Sequence, residues 1–318
     1  MDVCIVAMVI LVVLIILKLI EISFRRSYID DITKDKYVLI TGCDTGFGNE
    51  LAKQLDLKGV NVIATCLTEK GRRDIEQTSS GRVMTLLLDV TKHESIINAY
   101  GRVKSIIPNQ SALWGVVNNA GISVTPGQFE WSRRDDYEKT MAVNFFGAVD
   151  VTLTFLPLLK KSGGRLVNVT SCAGRIAAVT GGYSESKFAL EAFSDIIRRG
   201  RKLFGYQYRV SIIEPGFFAT KLTSRDCITQ SVEGSWNRLS NEEKEEFPER
   251  IMHECIERKV NAMDYLASND TSQVTNAMEH ALFAKWPKSR YSVGWDAKLL
   301  WIPLSYMPSC IADTLLKW

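Results

Sequence analysis

Short apolar runs alternate with longer amphipathic segments along most of the chain. The runs that read as strands are residues 36–41, 60–66, 83–88, 113–117, 165–170, 208–213 and 290–293. Strands that are apolar throughout and alternate with helices indicate a parallel sheet covered on both faces. The pattern therefore predicts an α/β protein with a doubly wound parallel sheet of about seven strands, including long helices over 134–159 and 182–204.

The strand pattern is interrupted between residues 221 and 269, where charged helical segments take its place. One of these begins at a capping box, Ser240-Asn241-Glu242-Glu243. Open α/β sheets bind ligands at the carboxyl ends of their strands. We therefore interpret 221–269 as a helical substrate cap within a domain spanning 36–294, followed by an apolar tail over 295–318.

The first 22 residues are predicted to form a membrane anchor. Residues 3–20 form an 18-residue run with Lys18 as its only charge, about 27 Å of helix, against a bilayer core of ~30 Å. A cleaved signal peptide would have a basic start and a small-residue cleavage site, which are missing here. The positive-inside rule predicts a cytosolic catalytic domain, because the basic residues all follow the unbroken apolar stretch 3–17: Lys18, Arg25, Arg26, Lys34 and Lys36. The sequons at Asn109, Asn168 and Asn269 would matter only in a lumenal domain.

Composition excludes several classes of function. The net charge is only +3 and no long Lys/Arg block occurs, so no nucleic-acid partner is predicted. The seven cysteines are widely spaced without a CxxC pair, and the three histidines form no HxxxH or HExxH motif. We therefore predict neither a disulfide framework nor a metal site.

Two small-residue turns follow predicted strands. Residues 41–48 read Thr-Gly-Cys-Asp-Thr-Gly-Phe-Gly and join the first sheet strand to a helix. Glycines there let the backbone approach a pyrophosphate, and the helix N-terminus offers N–H groups, so Gly42, Gly46 and Gly48 indicate a Rossmann-type dinucleotide site. Residues 118–121, Asn-Asn-Ala-Gly, could likewise contact a ligand, but by themselves they fit an ordinary turn equally well.

Tyr183 and Lys187 lie four residues apart on a predicted helix and so share one face. A free tyrosine has a pKa of ~10, and a nearby ammonium lowers it. A YxxxK pair is often a plain surface pair, but Ser171 ends the preceding strand twelve residues earlier, so both side chains can reach one crevice. Asn144, inside the predicted helix 134–159, fits a buried structural amide better than a catalytic group.

Together these segments resemble the short-chain dehydrogenase/reductase family. Five motifs occur in family order: residues 41–48, residues 118–121, Asn144, Ser171 with Tyr183 and Lys187, and residues 215–220. Residues 66–71 (CLTEKG), 181–195 and 214–218 look like the retinol and 17β-hydroxysteroid dehydrogenase branch. We therefore expect a membrane enzyme of the endoplasmic reticulum.

The resemblance implies a nicotinamide cofactor and a set of contacts for it: Gly42, Gly46 and Gly48 at the pyrophosphate, Asp89 at the adenine end, Asn118 along the pocket, Lys187 at the nicotinamide ribose and Thr220 at its amide. It also implies four catalytic roles: Tyr183 as base or acid, Lys187 lowering its pKa, Ser171 holding the substrate oxygen and Asn144 holding a water in the proton path. Cys66 stands where NAD-selective members usually have Asp. However, Glu69 is close to that position, and no Lys or Arg occurs between Cys66 and Lys70 to bind the extra phosphate of NADP. NAD is therefore predicted over NADP.

The predicted activity is hydride transfer between the nicotinamide and a hydroxyl or carbonyl of a lipophilic substrate, either retinol or a hydroxysteroid. The anchor favours a substrate dissolved in the bilayer. The apolar tail either lies at the membrane interface or packs on the protein core. One alternative is a 3-hydroxybutyrate-type dehydrogenase, which needs an Arg-rich presequence and a cation such as Arg175 near the site. Another is a non-catalytic nucleotide-binding scaffold, against which the complete set of catalytic residues argues. The resemblance further implies a homodimer formed through helices 134–159 and 182–204.

Overall fold

A seven-stranded, wholly parallel sheet forms the centre of the protein, as predicted. The computed structural model describes residues 3–25, 27–29, 35–124 and 126–316. The strands are β1 (Lys36–Ile40), β2 (Asn61–Cys66), β3 (Val83–Leu87), β4 (Ala112–Asn118), β5 (Arg165–Val169), β6 (Arg209–Pro215) and β7 (Arg290–Val293). They are ordered β3-β2-β1-β4-β5-β6-β7, so the winding direction reverses between β1 and β4. Parallel sheets bind ligands at such a switch point.

Helices cover both faces of the sheet and enclose a hydrophobic core on each. The helices before the cap are α1 (Val3–Arg25), α2 (Gly46–Leu57), α3 (Glu69–Thr78), α4 (His93–Ile106), α5 (Arg134–Met141), α6 (Ala148–Ser162) and α7 (Tyr183–Leu203). On one face α2 packs with α11 (Ser272–Phe283). On the other, Phe155 and Leu159 of α6 pack with Val103 of α4. The central strands are buried on both faces, which explains why their sequences are mainly apolar, whereas the edge strands β3 and β7 are only partly buried.

The predicted helix 134–159 is interrupted by a wider turn. Between α5 and α6, residues Ala142–Gly147 form a π-helical turn. α6 then continues to Ser162, where Gly163 ends it in the left-handed conformation (φ 64°). π turns of this kind occur frequently at functional sites because they redirect a side chain within a continuous helix.

Three helices from residues 221–269 form a layer with a small core of its own. They are α8 (Arg225–Asn237), α9 (Asn241–Glu246) and α10 (Glu249–Leu266). Val232, Met252 and Ile256 pack there against Trp131 from the connection between β4 and α5. The predicted capping box at the start of α9 is present, with the Glu243 N–H donating to Ser240 Oγ at 3.2 Å and the Ser240 N–H to the Glu243 carboxylate at 2.8 Å.

The N-terminal helix α1 is apolar and is joined to the domain at its C-terminal end. The Arg25 side chain donates to the Trp286 carbonyl at 2.9 Å, and the Ile29 N–H donates to the Phe283 carbonyl at 2.8 Å. Within the described residues, the only helix long and apolar enough to cross a membrane is 134–162, which is partly buried in the domain; residues 6–17 of α1 form a shorter apolar helix. Residues 1 and 2 of the predicted anchor, its flanking Arg26 and Lys34, and residues 317–318 of the tail lie outside the described part.

The C-terminal tail packs on the core and also exposes apolar side chains. It contains a second π turn (Ala297–Trp301), α12 (Ile302–Leu304) and α13 (Ser309–Leu315). Trp301 and Leu304 are buried in a cluster with Cys172, whereas Leu299 and Tyr306 are more than 70% exposed. The tail is therefore partly packed on the core, and an interfacial role for its exposed residues stays a prediction.

Candidate active site

A cavity of about 810 Å³ opens at the carboxyl ends of the strands, between the sheet and the 221–269 helices. Most of the sequence-predicted site residues line it: Gly42, Gly46, Asp89, Ser171, Tyr183, Lys187 and Thr220. Three others, Gly48, Asn118 and Asn144, are not part of its lining. The tertiary structure thus brings together residues up to 178 positions apart in the sequence.

The three glycines of the turn at residues 41–48 differ in their surroundings: other backbone atoms lie close to two of them, and the third faces open space. A Cβ on Gly42 (φ 70°) would lie 2.7 Å from Ala120 Cα, and one on Gly48 would lie 2.6 Å from the Gly42 carbonyl oxygen. Gly48 therefore packs α2 against the turn and does not face the cavity. Gly46 (φ 63°) has no atom within 4 Å of the Cβ position, and Thr45 makes no side-chain cap to α2. Open space before uncapped helix N–H groups fits a phosphate.

Asp44 is a site residue that sequence reasoning missed. Its carboxylate accepts hydrogen bonds from the Leu67 N–H at 2.8 Å, the Thr68 N–H at 2.9 Å and the Thr68 hydroxyl at 2.6 Å. It therefore joins the glycine turn to the end of β2 and places a negative charge in the cavity lining there. The sequence shows that Asp44 lies within the TGCDTGFG segment, but it does not show that Asp44 bonds Leu67 and Thr68 at the end of another strand.

Asp89 lies in the lining at the end of β3. It accepts from the Thr91 hydroxyl at 2.6 Å and from the Thr91 N–H at 3.0 Å. These bonds, with Lys92 at 3.3 Å, hold the pKa of the carboxyl below its ordinary value, the Thr91 hydroxyl contributing most, while partial burial opposes the effect. Asp89 therefore stays ionised and accepts hydrogen bonds at neutral pH.

Asn118 does not line the pocket, contrary to the expectation for it. Its side-chain amide is buried and donates to Thr152 Oγ1 at 2.7 Å and to Asn168 Oδ1 at 2.8 Å. Alternate residues of a strand share a face, so Asn118 points like Val116 toward the α6 side of the sheet. The backbone after it turns into the cavity instead, and Asn119, Ala120 and Gly121 form the lining.

Asn144 lies in the π turn and is fully buried. Its Oδ1 accepts from the Ile122 N–H at 2.8 Å, and its Nδ2 donates to the Ile122 carbonyl at 2.9 Å and to Ser186 Oγ at 3.0 Å. The amide thus fastens the loop after β4 to α7. This supports the structural reading of Asn144, and its role in holding a water stays a prediction.

Ser171, Tyr183 and Lys187 form the polar centre of the cavity. Lys187 Nζ donates to the Val169 carbonyl at 3.0 Å and lies 5.6 Å from the centre of the Tyr183 ring. Ser171 Oγ accepts from the Ala173 N–H at 3.1 Å, which fixes the serine on a short 3₁₀ turn. Burial lowers the pKa of Lys187 to about 8, partly opposed by Glu191.

The pKa of Tyr183 differs from the expectation. Burial raises the pKa of Tyr183 to about 12, and a hydrogen bond with Ser171 only partly offsets this. The expectation considered the ammonium of Lys187 but not the loss of hydration, which disfavours the phenolate. In the protein alone, the lowering of the Tyr183 pKa expected from the sequence is therefore absent.

Comparison with known proteins decides the family. The sequence profile described as short chain dehydrogenase matches residues 36–230, more than half of the chain. The chain belongs to the short-chain dehydrogenase family. It is 46% identical to mouse retinol dehydrogenase 16 over 93% of this chain and 92% of the relative. Human retinol dehydrogenase 5 is 43% identical (89% and 88%), and bovine 17-beta-hydroxysteroid dehydrogenase type 6 is 43% identical (92% and 91%).

Solved structures agree on the fold. A short-chain dehydrogenase/reductase from Burkholderia phymatum in complex with NAD gives a TM-score of 0.69 at 18% identity, covering 86% of this chain and 94% of that one. One from Burkholderia cenocepacia in complex with NADP gives 0.64 at 21% identity, covering 89% and 98%. These structures show a Rossmann-type fold for this chain, and the family match with its retinol dehydrogenase relatives makes it an oxidoreductase.

Arg175, the cation required by the hydroxy-acid alternative, is engaged elsewhere in this short-chain dehydrogenase. Its guanidinium donates to Glu214 at 2.9 Å and to the Tyr306 hydroxyl. Glu214 also accepts from Arg290 at 3.0 Å and from Ser292 at 3.1 Å, forming a buried charged network. Arg175 is not among the cavity-lining residues, so it does not offer a carboxylate-binding cation there.

Proposed function

We propose that this protein oxidises the hydroxyl group of a retinoid or hydroxysteroid, using NAD, at the cavity containing Tyr183. The observation that carries the proposal is a Ser-Tyr-Lys centre opening into a cavity whose other lining side chains are largely apolar. These include Ile122, Phe129, Val179, Phe217, Leu222, Ile228 and Met263. The names of the relatives support both substrate classes.

The proposed chemistry divides between three side chains. The nicotinamide, when bound, accepts the hydride from the alcohol carbon. Ser171 Oγ holds the substrate oxygen, and Tyr183 accepts its proton, a contribution of about 10²–10⁴-fold. Lys187 stabilises the phenolate and binds the nicotinamide ribose. Because burial raises the pKa of Tyr183 to about 12, the positive charges of Lys187 and of the oxidised cofactor are needed to make the phenolate accessible at neutral pH.

The residues present fit a dinucleotide, and NAD is the proposed form. Uncapped α2 and the open space at Gly46 would receive the pyrophosphate. Asp44 adds a carboxylate to the lining beside Thr68, which disfavours the extra phosphate of NADP. Glu69, the residue used in the sequence argument, bonds Arg72 at 2.9 Å and is not in the lining. Asp44, and not Glu69, is therefore the acidic residue that favours NAD over NADP in this proposal.

We also propose the organisation predicted from the sequence: anchor 1–22, catalytic domain 36–294 with cap 221–269, and tail 295–318. The described side chains of α1 from Met8 to Leu17 are about half exposed, which favours a lipid environment. We place the anchor in the endoplasmic reticulum with the domain in the cytosol. Protease treatment of sealed microsomes tests this, because a lumenal domain would be protected. Glycan on the exposed Asn109 or Asn269 would also contradict it.

A homodimer through α5–α6 and α7 is proposed as well. Apolar side chains on these helices are exposed, namely Phe146 (59%), Leu153 (55%), Phe188 (42%) and Ile196 (67%). Such a surface is typical of an interface. Leu153→Glu should give a monomer by light scattering in mild detergent, whereas Leu57→Glu, at an exposed site on α2, should not. A wild-type protein that is monomeric in the same detergent would refute the dimer.

The activity is tested with purified full-length protein in detergent and a panel of retinol, hydroxysteroids and 3-hydroxybutyrate. NADH formation with retinol or a hydroxysteroid, and none with 3-hydroxybutyrate, is expected. Turnover of the hydroxy acid alone would favour the first alternative. NAD binding without turnover of any alcohol would favour the scaffold.

A further inference from the structure

One face of helix α10 forms the wall of the cavity on the cap side. Cys255, Lys259, Ala262 and Met263 all line it. Their spacing of i, i+4, i+7 and i+8 follows a single helical face. Arg258, the residue next to Lys259, also lines the cavity but is exposed, whereas Lys259 is half-buried. Lys259 is therefore the partly buried cation of a wall whose other residues on this helical face are apolar.

Lys259 has no anionic partner in the protein. Within the described residues, no carboxylate lies at ion-pair distance from Lys259, and the only acids in the cavity lining are Asp44 and Asp89, at the ends of β1 and β3. The adjacent thiol of Cys255 has its pKa raised by burial, so it stays neutral. Burial lowers the pKa of Lys259, which indicates an ammonium partly removed from water.

An ammonium in such a wall is stabilised by an acceptor oxygen, and a purely hydrocarbon ligand would remove its remaining water without replacement. In the proposed chemistry Ser171 and Tyr183 hold the reacting hydroxyl at the sheet side of the cavity, and α10 lines the cap side, so we expect the opposite end of the substrate to face α10. The two proposed substrate classes differ at that end. Retinol ends in a hydrocarbon ring, whereas a hydroxysteroid can carry a second oxygen on its far ring.

We infer that Lys259 selects the substrate by donating a hydrogen bond to an acceptor oxygen at its far end, which makes an oxygenated hydroxysteroid, and not retinol, the preferred substrate class. This rests on the proposed function and narrows it. A sulfate oxygen should be preferred to a ketone, and a ketone to a ring without oxygen, because hydrogen bonds between charged groups are the strongest.

The test is kcat/KM for three steroids that share one reacting hydroxyl and carry a sulfate, a ketone or only hydrogen at the far end. For the wild-type protein, kcat/KM for the ketone-ended steroid should exceed kcat/KM for the hydrocarbon-ended steroid by about 10- to 100-fold. This is the range expected of a hydrogen bond to a charged donor. Lys259→Met should bring the three values within about threefold of one another, mainly by lowering the two oxygenated values. Lys259→Arg should retain the order, and Lys161→Met, at an exposed site at the end of α6, should leave it unchanged.

Lys259→Gln provides a second neutral variant in case the methionine protein does not fold. The inference is overturned if the wild-type protein turns over the hydrocarbon-ended steroid or retinol as fast as the ketone, or if the neutral variants keep the wild-type ratios. Either result would leave the proposed dehydrogenase activity intact. A wild-type protein that oxidises no lipophilic alcohol would instead refute the proposed function itself.

Discussion

The buried ammonium of Lys187 makes the stability of the cofactor-free protein depend on pH. Burial lowers its pKa from 10.5 to about 8. At 1.36 kcal/mol per pKa unit, keeping Lys187 charged costs about 3 kcal/mol of folding free energy at neutral pH. The proposed chemistry uses this charge to stabilise the Tyr183 phenolate and to bind the cofactor, so on that proposal the cost is a consequence of function.

The sign of the pH dependence follows from the order of the two pKa values. The folded-state pKa lies below the unfolded-state value, so the stabilisation is complete only above about 10.5 and is lost as pH falls through about 8. Lys187→Met removes the titrating group. Between pH 7 and pH 9 the wild-type protein should therefore gain about 1 kcal/mol relative to this variant. Tyr183 does not interfere, because burial raises its pKa to about 12.

The assay is urea unfolding of both full-length proteins without cofactor, in mild detergent, followed by tryptophan fluorescence at several pH values. The difference in unfolding free energy should be constant below pH 7 and change in favour of the wild-type protein above it. Lys202→Met, at an exposed site near the end of α7, should show no such change. A Lys187→Met difference that stays constant to pH 9 would mean that Lys187 is not desolvated as the structure indicates.

Four further predictions concern the site. Tyr183→Phe should lower kcat by about 10²–10⁴-fold while NAD still binds by fluorescence titration; wild-type turnover would exclude Tyr183 as the base. Gly42→Ala should destabilise the protein in urea unfolding by at least about 2 kcal/mol, since it combines a positive φ with a clash at Ala120. Gly46→Ala should lower the free energy of unfolding by only about 1 kcal/mol, yet it should weaken NAD binding, because its methyl group occupies the open space. Equal destabilisation by Gly42→Ala and Gly46→Ala would contradict the geometry. Asp44→Asn should narrow the ratio of kcat/KM with NAD to that with NADP, and an unchanged ratio would reject its role in cofactor choice.

The sequence by itself determined the strands, the order of the motifs and most of the residues that line the site. Apolar runs indicate strands of a parallel sheet because such strands are buried on both faces, and each run is a local feature of four to seven residues. Ser171 ends a strand and Tyr183 begins the next helix, so these two side chains were expected to reach one crevice without any knowledge of their contacts. The π turn at Asn144 was not predicted, because its hydrogen bonds depend on Ile122 and Ser186 from other elements.

Only the tertiary structure decided which way individual side chains point, how much water they lose on burial and which groups they contact. Strand alternation shows that Asn118 and Val116 share a face, but not which helices cover that face, so the amide was expected in the pocket and lies under α6 instead. The pKa of Tyr183 depends on how much water the assembled cavity removes, a quantity that spacing along a helix does not contain. Lys259 was one of three lysines in the charged cap segment 221–269. Its place in the cavity lining, without a carboxylate at ion-pair distance among the described residues, depends on how α10 packs, and the specificity proposed for it follows from that packing.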